Sequence, residues 1–324
     1  MTTEAKICRG PHTGGPGPRG LDELVSRVAD CGARPRIVLA ACAEAHALGA
    51  LLDAMDRGIA QPLLVGDMDQ AARIAAELGR DISGIAAVHA PDPREAVQHA
   101  VDLVRNGEAE VLMKGLVNTD VLLRKVLNRA TGLPPKGVLS HVAVFELPAP
   151  DGGTRLAMMT DAAVNIRPNL QRKLEIVHNA VAVARALGIA RPRVAMLAAT
   201  EKVILPAMPA TLDAQIVARM ADQGEFGEAD VAGPMALDIA ISPDAAARKG
   251  VDHPVAGRAD ILVTPDIESG NILYKSLTTL ARADMASTMA GSSAPLVVTS
   301  RGDSERSKFC SIALAGYLAL AARS

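Results

Sequence analysis

From Arg34 onward, short apolar runs rich in β-branched residues alternate with longer amphipathic stretches. Ile37–Ala40, Pro62–Gly66, Ile85–Val88 and Val111–Met113 read as strands. Glu44–Asp56, Gln70–Leu78, Arg94–Arg105 and Thr119–Asn128 read as the helices between and after them. Strands alternating with helices of this length predict a parallel sheet covered on both faces. Near residue 131 the breaker-rich TGLPPKG interrupts the alternation. Val142–Leu147 and Arg155–Met159 then follow one another with no helix between, and Ala149–Gly153 makes a hairpin turn. The alternation resumes with a long helix carrying Leu170, Leu174, Val177, Val181, Ala184 and Leu187 on one face. Val194–Ala198, Ile261–Val263 and Pro295–Ser300 are the later strands, and Lys308–Ala321 is a closing helix.

The mid-chain hairpin predicts a second α/β lobe. With 324 residues, 49% hydrophobic and 22% charged, the chain can fill two cores. Aromatic residues make up only 2% and the net charge is −2, which argues against a nucleic-acid surface. The four cysteines form no CxxC pair and fit reduced thiols in a cytoplasmic protein. No apolar run reaches the ~18–20 residues of a membrane-crossing helix. Residues 1–20 have no apolar core and read as a flexible leader rather than a secretory signal.

Three patterns are decoys. Gly15, Gly17 and Gly20 match GxGxxG, but no strand precedes them and prolines sit between. Arg301-Gly302-Asp303 spells an adhesion tripeptide by chance. The seven histidines show no metal-ligand spacing, so no metal is expected.

Candidate chemistry concentrates where strands end and helices begin. TSRGDSERSK (Thr299–Lys308) stands between the last strand and the last helix, where open α/β sheets place ligands and helix N–H groups favour an anion. Ser300 offers a hydroxyl, Arg301 a guanidinium fork suited to phosphate or an oxyanion, and Asp303 a base or an arginine partner. The plainer reading of the segment is a helix N-cap beside a surface arginine. LMKGLVNTD (Leu112–Asp120) is a second junction, with Lys114 at the strand end and Arg124 on the helix that Asn118 or Thr119 caps, as phosphate ligands or as solvated cations. Asp161 and Asn165 in TDAAVNIRP, and Asn271 in TPDIESGN, line a cleft or cap helices. Ser140-His141, Ala198–Lys202 and Gly233–Asp238 also place polar residues after strand-like runs. Together these strand ends suggest a cleft between two lobes.

Over Leu21–Ala321 the chain resembles the phosphate acetyl/butyryl transferase family, most closely its phosphate butyryltransferase-like branch. The resemblance rests on ordered landmarks: LMKGLVNTDVLLRKVL, GVLSHVAVFELP, TDAAVNIRPNLQRKLEIVHNAV, AATEKV with MPAT, VAGPMALDIAIS, DILVTPDIESGN and SRGDSERSK. It implies a two-lobed, three-layer α/β/α fold with mostly parallel sheets, similar to the isocitrate/isopropylmalate dehydrogenases, with the active site in the cleft. In that fold the last strand and helix return to the first lobe, giving lobes of 21–137 plus 298–324 and of 138–297. It implies reversible acyl transfer between coenzyme A and inorganic phosphate. Both are substrates, no cofactor stays bound, and the protein is a homodimer or larger homo-oligomer.

The family's Ser-Arg pair falls on Ser300 and Arg301, and a further arginine on Arg124. Lys114, Asp161, Asn165 and Asn271 are the other expected substrate-binding positions. Acetyltransferase members place an aspartate, the proposed base for the thiol, seven residues after that serine; here Ser307 stands there. This departure leaves the base open, with Asp303 the nearest replacement. Two other readings compete. One is a coenzyme A or acyl-phosphate binding module that has lost its base. The other is an NAD- and metal-dependent dehydrogenase, which needs clustered carboxylates, whereas Asp238, Asp260, Asp266 and Glu268 are scattered.

Overall fold

The computed structural model describes residues 16–133, 135, 137–149, 151–299 and 302–323. The described chain forms two compact units. The first takes in the described residues through Pro135, then Ala286–Thr288, then those from Ser292 on; the second takes in those up to Met285, with Met289–Gly291.

In the first unit, α1 (Leu21–Asp30) precedes β1 (Arg36–Ala40), α2 (Ala45–Asp56), β2 (Gln61–Gly66), α3 (Met68–Glu77), β3 (Ala87–His89), α4 (Pro93–Arg105), β4 (Val111–Lys114) and α5 (Thr119–Val126). Helix starts follow local chemistry. The Glu44, Asp67 and Asp92 carboxylates accept N–H bonds at the starts of α2, α3 and α4, and Pro93 opens α4. The strands run parallel in the order β3-β2-β1-β4, and β11 (Leu296–Val297) adds beside β4. Ile37, Val38 and Leu39 are fully buried, as expected for a strand covered on both faces.

The last helix, α11 (Glu305–Ala321), is more deeply buried than a closing helix need be. Ile312, Ala313, Leu314, Ala315 and Tyr317 are wholly enclosed. It packs against α1, α2, β4 and β11, and its composition is apolar on every side. A Cβ at Gly316 would stand 2.9 Å from Pro35, so the glycine allows the helix to approach.

The second unit opens with the expected hairpin. β5 (Ser140–Pro148) pairs antiparallel with β6 (Thr154–Thr160), and the Ala149 N–H closes the turn on the Gly153 carbonyl. Next come α6 (Leu170–Ala186), β7 (Arg193–Leu197), α7 (Ala210–Asp222), β8 (Asp230–Met235), α8 (Leu237–Ile241), α9 (Pro243–Lys249), β9 (Ile261–Val263) and α10 (Ile267–Lys275). A π-helical turn, Ser276–Leu280, continues α10. The order is β5-β6-β9-β7-β8, with β6, β9, β7 and β8 parallel. Phe145, Met159, Leu262, Tyr274 and Met285 belong to its core. At the amino ends of these strands Asp260 accepts two bonds from the Arg193 guanidinium, at 2.9 Å each, and one from Arg155 at 3.4 Å.

Some expected strands shift. Ile85–Val88 is replaced by Ala87–His89, a short exposed edge strand, and Pro295–Ser300 shortens to Leu296–Val297. β10 (Ala286–Ala290), whose sequence ASTMA carries only weak strand signals, was not expected. β8 contains Gly233 and Pro234, which read as breakers; an edge strand tolerates both.

Candidate functional site

The register between β4 and β11 sets the first part of the site. Leu296 stands opposite Leu112 and Val297 opposite Met113, so the chain leaves two neighbouring parallel strands at their carboxyl ends. Lys114 ends β4 and is half-buried, its Nζ donating to the carbonyls of Gly115 (3.3 Å) and Val117 (3.1 Å). Gly115 is required there: a Cβ would lie 2.2 Å from the Ala41 carbonyl oxygen, where β1 also ends.

After β11 come Val298 and Thr299, then Ser300 and Arg301, which lie outside the described residues. Gly302 and Asp303 lead to Ser304, the N-cap of α11. The Ser304 hydroxyl accepts the Ser307 N–H at 3.0 Å and donates to the Ser307 hydroxyl at 3.0 Å. Ser307 is buried, and its carbonyl accepts the Ser311 hydroxyl at 2.7 Å. The hydroxyl at this position therefore serves the helix start; unlike an aspartate, it supplies no basic group at neutral pH. Asp303 is half-buried, and its carbonyl accepts a bond from Lys308 at 2.9 Å.

Arg124 stands on α5 with 74% of its side chain exposed, pairing with Asp120 one turn earlier on the same helix.

In the second unit, Asp161, Asn165 and Asn271 come together. The buried Asp161 carboxylate accepts four bonds, from the N–H groups of Ala163, Val164 and Asn165 and from the Asn165 side-chain amide. That amide also donates to the Leu139 carbonyl at 2.8 Å, and Asn271 donates to the Ala162 carbonyl at 3.3 Å. A Cβ on Gly270 would lie 2.3 Å from the Asp161 carbonyl oxygen, so α10 starts directly against this loop. The Asp161 carboxylate is thus occupied by its own loop and braces the strand end.

One polar group went unrecognised in the sequence. Lys173 on α6, 3% exposed, donates to Asp213 on α7 at 2.8 Å. The pair lines a cavity of about 510 Å³ with Arg167, Met208, Thr211 and Asp266. Burial pushes the Asp266 carboxyl up, but the Ser269 amide and hydroxyl, then the charges of Arg167 and Lys173, outweigh it and hold the group below its ordinary value. The neighbouring segments at 160–168, 198–202 and 264–271 stood out as polar strand ends. Lys173 itself gave no signal, because a lysine in an amphipathic helix reads as solvated. Among the described residues no group of three His, Cys, Asp or Glu is placed to hold a metal ion.

A family model described as phosphate acetyl/butaryl transferase matches residues 92–316. The chain is 45% identical over 284 residues to a phosphate butyryltransferase of Clostridium acetobutylicum, covering 88% of this chain and 93% of the relative. It is 39% identical over 302 residues to a phosphate acetyltransferase of Rhizobium meliloti, covering 93% and 94%. Among solved structures, a branched-chain phosphotransacylase from Enterococcus faecalis superposes with a TM-score of 0.78 at 36% identity, covering 88% of this chain and 99% of that one.

Proposed function

Because the chain belongs to the phosphate acetyl/butyryl transferase family, we propose that it transfers a short-chain acyl group, acetyl to butyryl, between coenzyme A and inorganic phosphate. The observation that carries this reading is SRGDSERSK, a family landmark, between a parallel strand's carboxyl end and the start of a long helix.

In the forward direction a phosphate oxygen attacks the thioester carbonyl. The tetrahedral oxyanion collapses, the C–S bond breaks, and coenzyme A leaves as its thiolate. Arg301 and the Ser300 hydroxyl donate to the oxyanion or to phosphate, and the α11 amide dipoles favour the same negative charge. Ser300 acts as a hydrogen-bond donor, since neither half-reaction needs an acyl-enzyme. In the reverse direction the thiol must lose its proton, and Asp303 is the assigned base. Ser307, whose hydroxyl accepts from the N-cap Ser304 and is no base at neutral pH, leaves Asp303 as the carboxylate of the segment nearest in sequence to the Ser300-Arg301 pair.

Lys114 and Arg124 supply positive charge to the phosphate groups of the substrates. Asp161, Asn165 and Asn271 shape the substrate-binding loop of the second unit. Coenzyme A and phosphate enter as substrates, with no cofactor held between turnovers. The same reading takes the protein as a cytoplasmic homodimer or larger homo-oligomer. Among the described residues no helix is long and apolar enough to cross a membrane.

Thiol release from acetyl-, propionyl- and butyryl-CoA, with and without phosphate, tests the reading. Release that requires phosphate and is lost in Arg301→Ala supports it. Coenzyme A binding without release leaves a binding module instead.

A further inference from the structure

In the second unit β6 leads through α6 to β7, and β7 through α7 to β8, while α10 turns back from β9 over β6. Right-handed crossovers put helices that advance in opposite directions on opposite faces of a sheet. Ile239 of α8, Ala246 of α9 and Tyr274 of α10 accordingly share one core, and α6 packs against α7. The loops leaving the neighbouring strands β7 and β9 thus part to opposite faces. That is the switch point at which an open α/β sheet leaves a crevice for a ligand. The cavity of about 510 Å³ lies there, lined by Ala198 just past β7 and by Pro265 just past β9. Its volume falls within the range of small-molecule sites, about 300–1,000 Å³.

Lys173 lines this cavity and is 3% exposed, yet its ammonium uses one of its three donor hydrogens, on Asp213. Among the described residues the other two hydrogens and the Asp213 Oδ1 meet no hydrogen-bond partner. The other polar groups of the lining are taken. The Thr211 hydroxyl accepts the Ile204 N–H and donates to the Met208 carbonyl, and Asp266 accepts from the Ser269 amide and hydroxyl. Arg167 and Lys173 balance Asp213 and Asp266 in formal charge, so the lining gives an anion no net attraction. The rest of the wall is apolar, with three prolines, three alanines and Met208. Such a cavity suits an uncharged chain that carries an acceptor beside a donor. A secondary amide supplies both, its carbonyl for Lys173 and its N–H for Asp213.

We propose that this cavity holds the pantetheine arm of coenzyme A, one of whose amides accepts from Lys173 and donates to Asp213. The identity of the ligand rests on the transferase reading above. The arm is uncharged and carries two secondary amides between methylenes, which pack on the proline and alanine walls.

Lys173→Met and Ala198→Leu in the full chain test this. The first removes the donors; the second keeps the ion pair and fills the cavity. In each, the KM for butyryl-CoA and that for butyryl-pantetheine rise about tenfold or more, the scale of one hydrogen bond to a charged group, while the KM for phosphate stays unchanged. A rise for butyryl-CoA alone would put a phosphate group of coenzyme A in the cavity, and a rise for inorganic phosphate would put that ion there; either overturns the proposal. Unchanged constants in both variants, whatever their Tm, overturn it too. Saturation-transfer NMR of free pantetheine needs no turnover. If the wild type releases no thiol, the transferase reading fails, while loss of that transfer in both variants still supports the pantetheine site. Its persistence in them, or its absence from the wild type, overturns the site.

Discussion

The Ser307 N–H donates to the Ser304 hydroxyl oxygen at 3.0 Å, and the Ser304 hydroxyl donates in turn to the Ser307 hydroxyl at 3.0 Å. The two serines close the first turn of α11 on itself. Ser304→Ala therefore removes a cap, with an expected loss of about 1 kcal/mol in urea unfolding. Ser307→Ala leaves the cap's N–H bond intact and is expected to keep the pH profile of turnover. A Ser307→Ala enzyme that loses the acidic limb of its profile would return the base to that position.

Lys173 and Asp213 form a buried pair in the second unit. Asp213→Ala strands the ammonium, and removing one partner of such a pair costs about 3–5 kcal/mol. Because Asp213 keeps 30% exposure, the lower end of that range is expected. Lys173→Met should cost less, since it removes the buried charge itself. Denaturant unfolding of both variants checks the order.

Gly270 and Gly115 sit where backbone meets backbone. Gly270→Ala would bring a Cβ to 2.3 Å from the Asp161 carbonyl oxygen, and Gly115→Ala to 2.2 Å from that of Ala41. Neither neighbour is a flexible side-chain tip. Each substitution is expected to destabilise by about 1–3 kcal/mol or more, with turnover falling further than stability because a strand-end loop moves. Thermal unfolding beside a kcat measurement separates the two.

Glu110 lies where Arg36 and Arg323 converge. Arg36 reaches it from its backbone N–H at 2.6 Å and from its guanidinium, and Arg323 stands 2.6 Å away. Burial raises the Glu110 carboxyl, but the side-chain and backbone bonds from Arg36 and the Arg323 charge outweigh it, and the net shift is downward. A carboxylate held below its unfolded value adds stability above that value and loses it as pH falls through the folded one. Wild type should exceed Glu110→Gln in stability at pH 7, and the gap should close in acid below the ordinary glutamate range. A gap that persists there would remove the ion pair as its cause.

Much of the fold was legible because helix and strand periods differ. α2, α4 and α6 and the β5–β6 hairpin appear close to where their patterns put them, and the α/β class with mostly parallel strands follows from them. β10 and β8 were hidden by short, small-residue or proline-bearing sequences, which take strand form from their neighbours in the sheet. Within the site, sequence pointed to strand ends but could not separate braces from ligands. Asp161 and Asn165 look alike as polar residues, and only the structure reveals a carboxylate saturated by its own loop. Lys173 and Lys308 escaped notice because a helical lysine gives no sign of burial.

The most direct test follows the new bond itself. Incubating the protein with butyryl-CoA and inorganic phosphate, and following phosphorus by NMR, should show butyryl phosphate appearing in step with free thiol. Arg301→Ala should show neither. Thiol release without an acyl phosphate signal, or release indifferent to phosphate, would mean water accepts the acyl group and would contradict the transferase account.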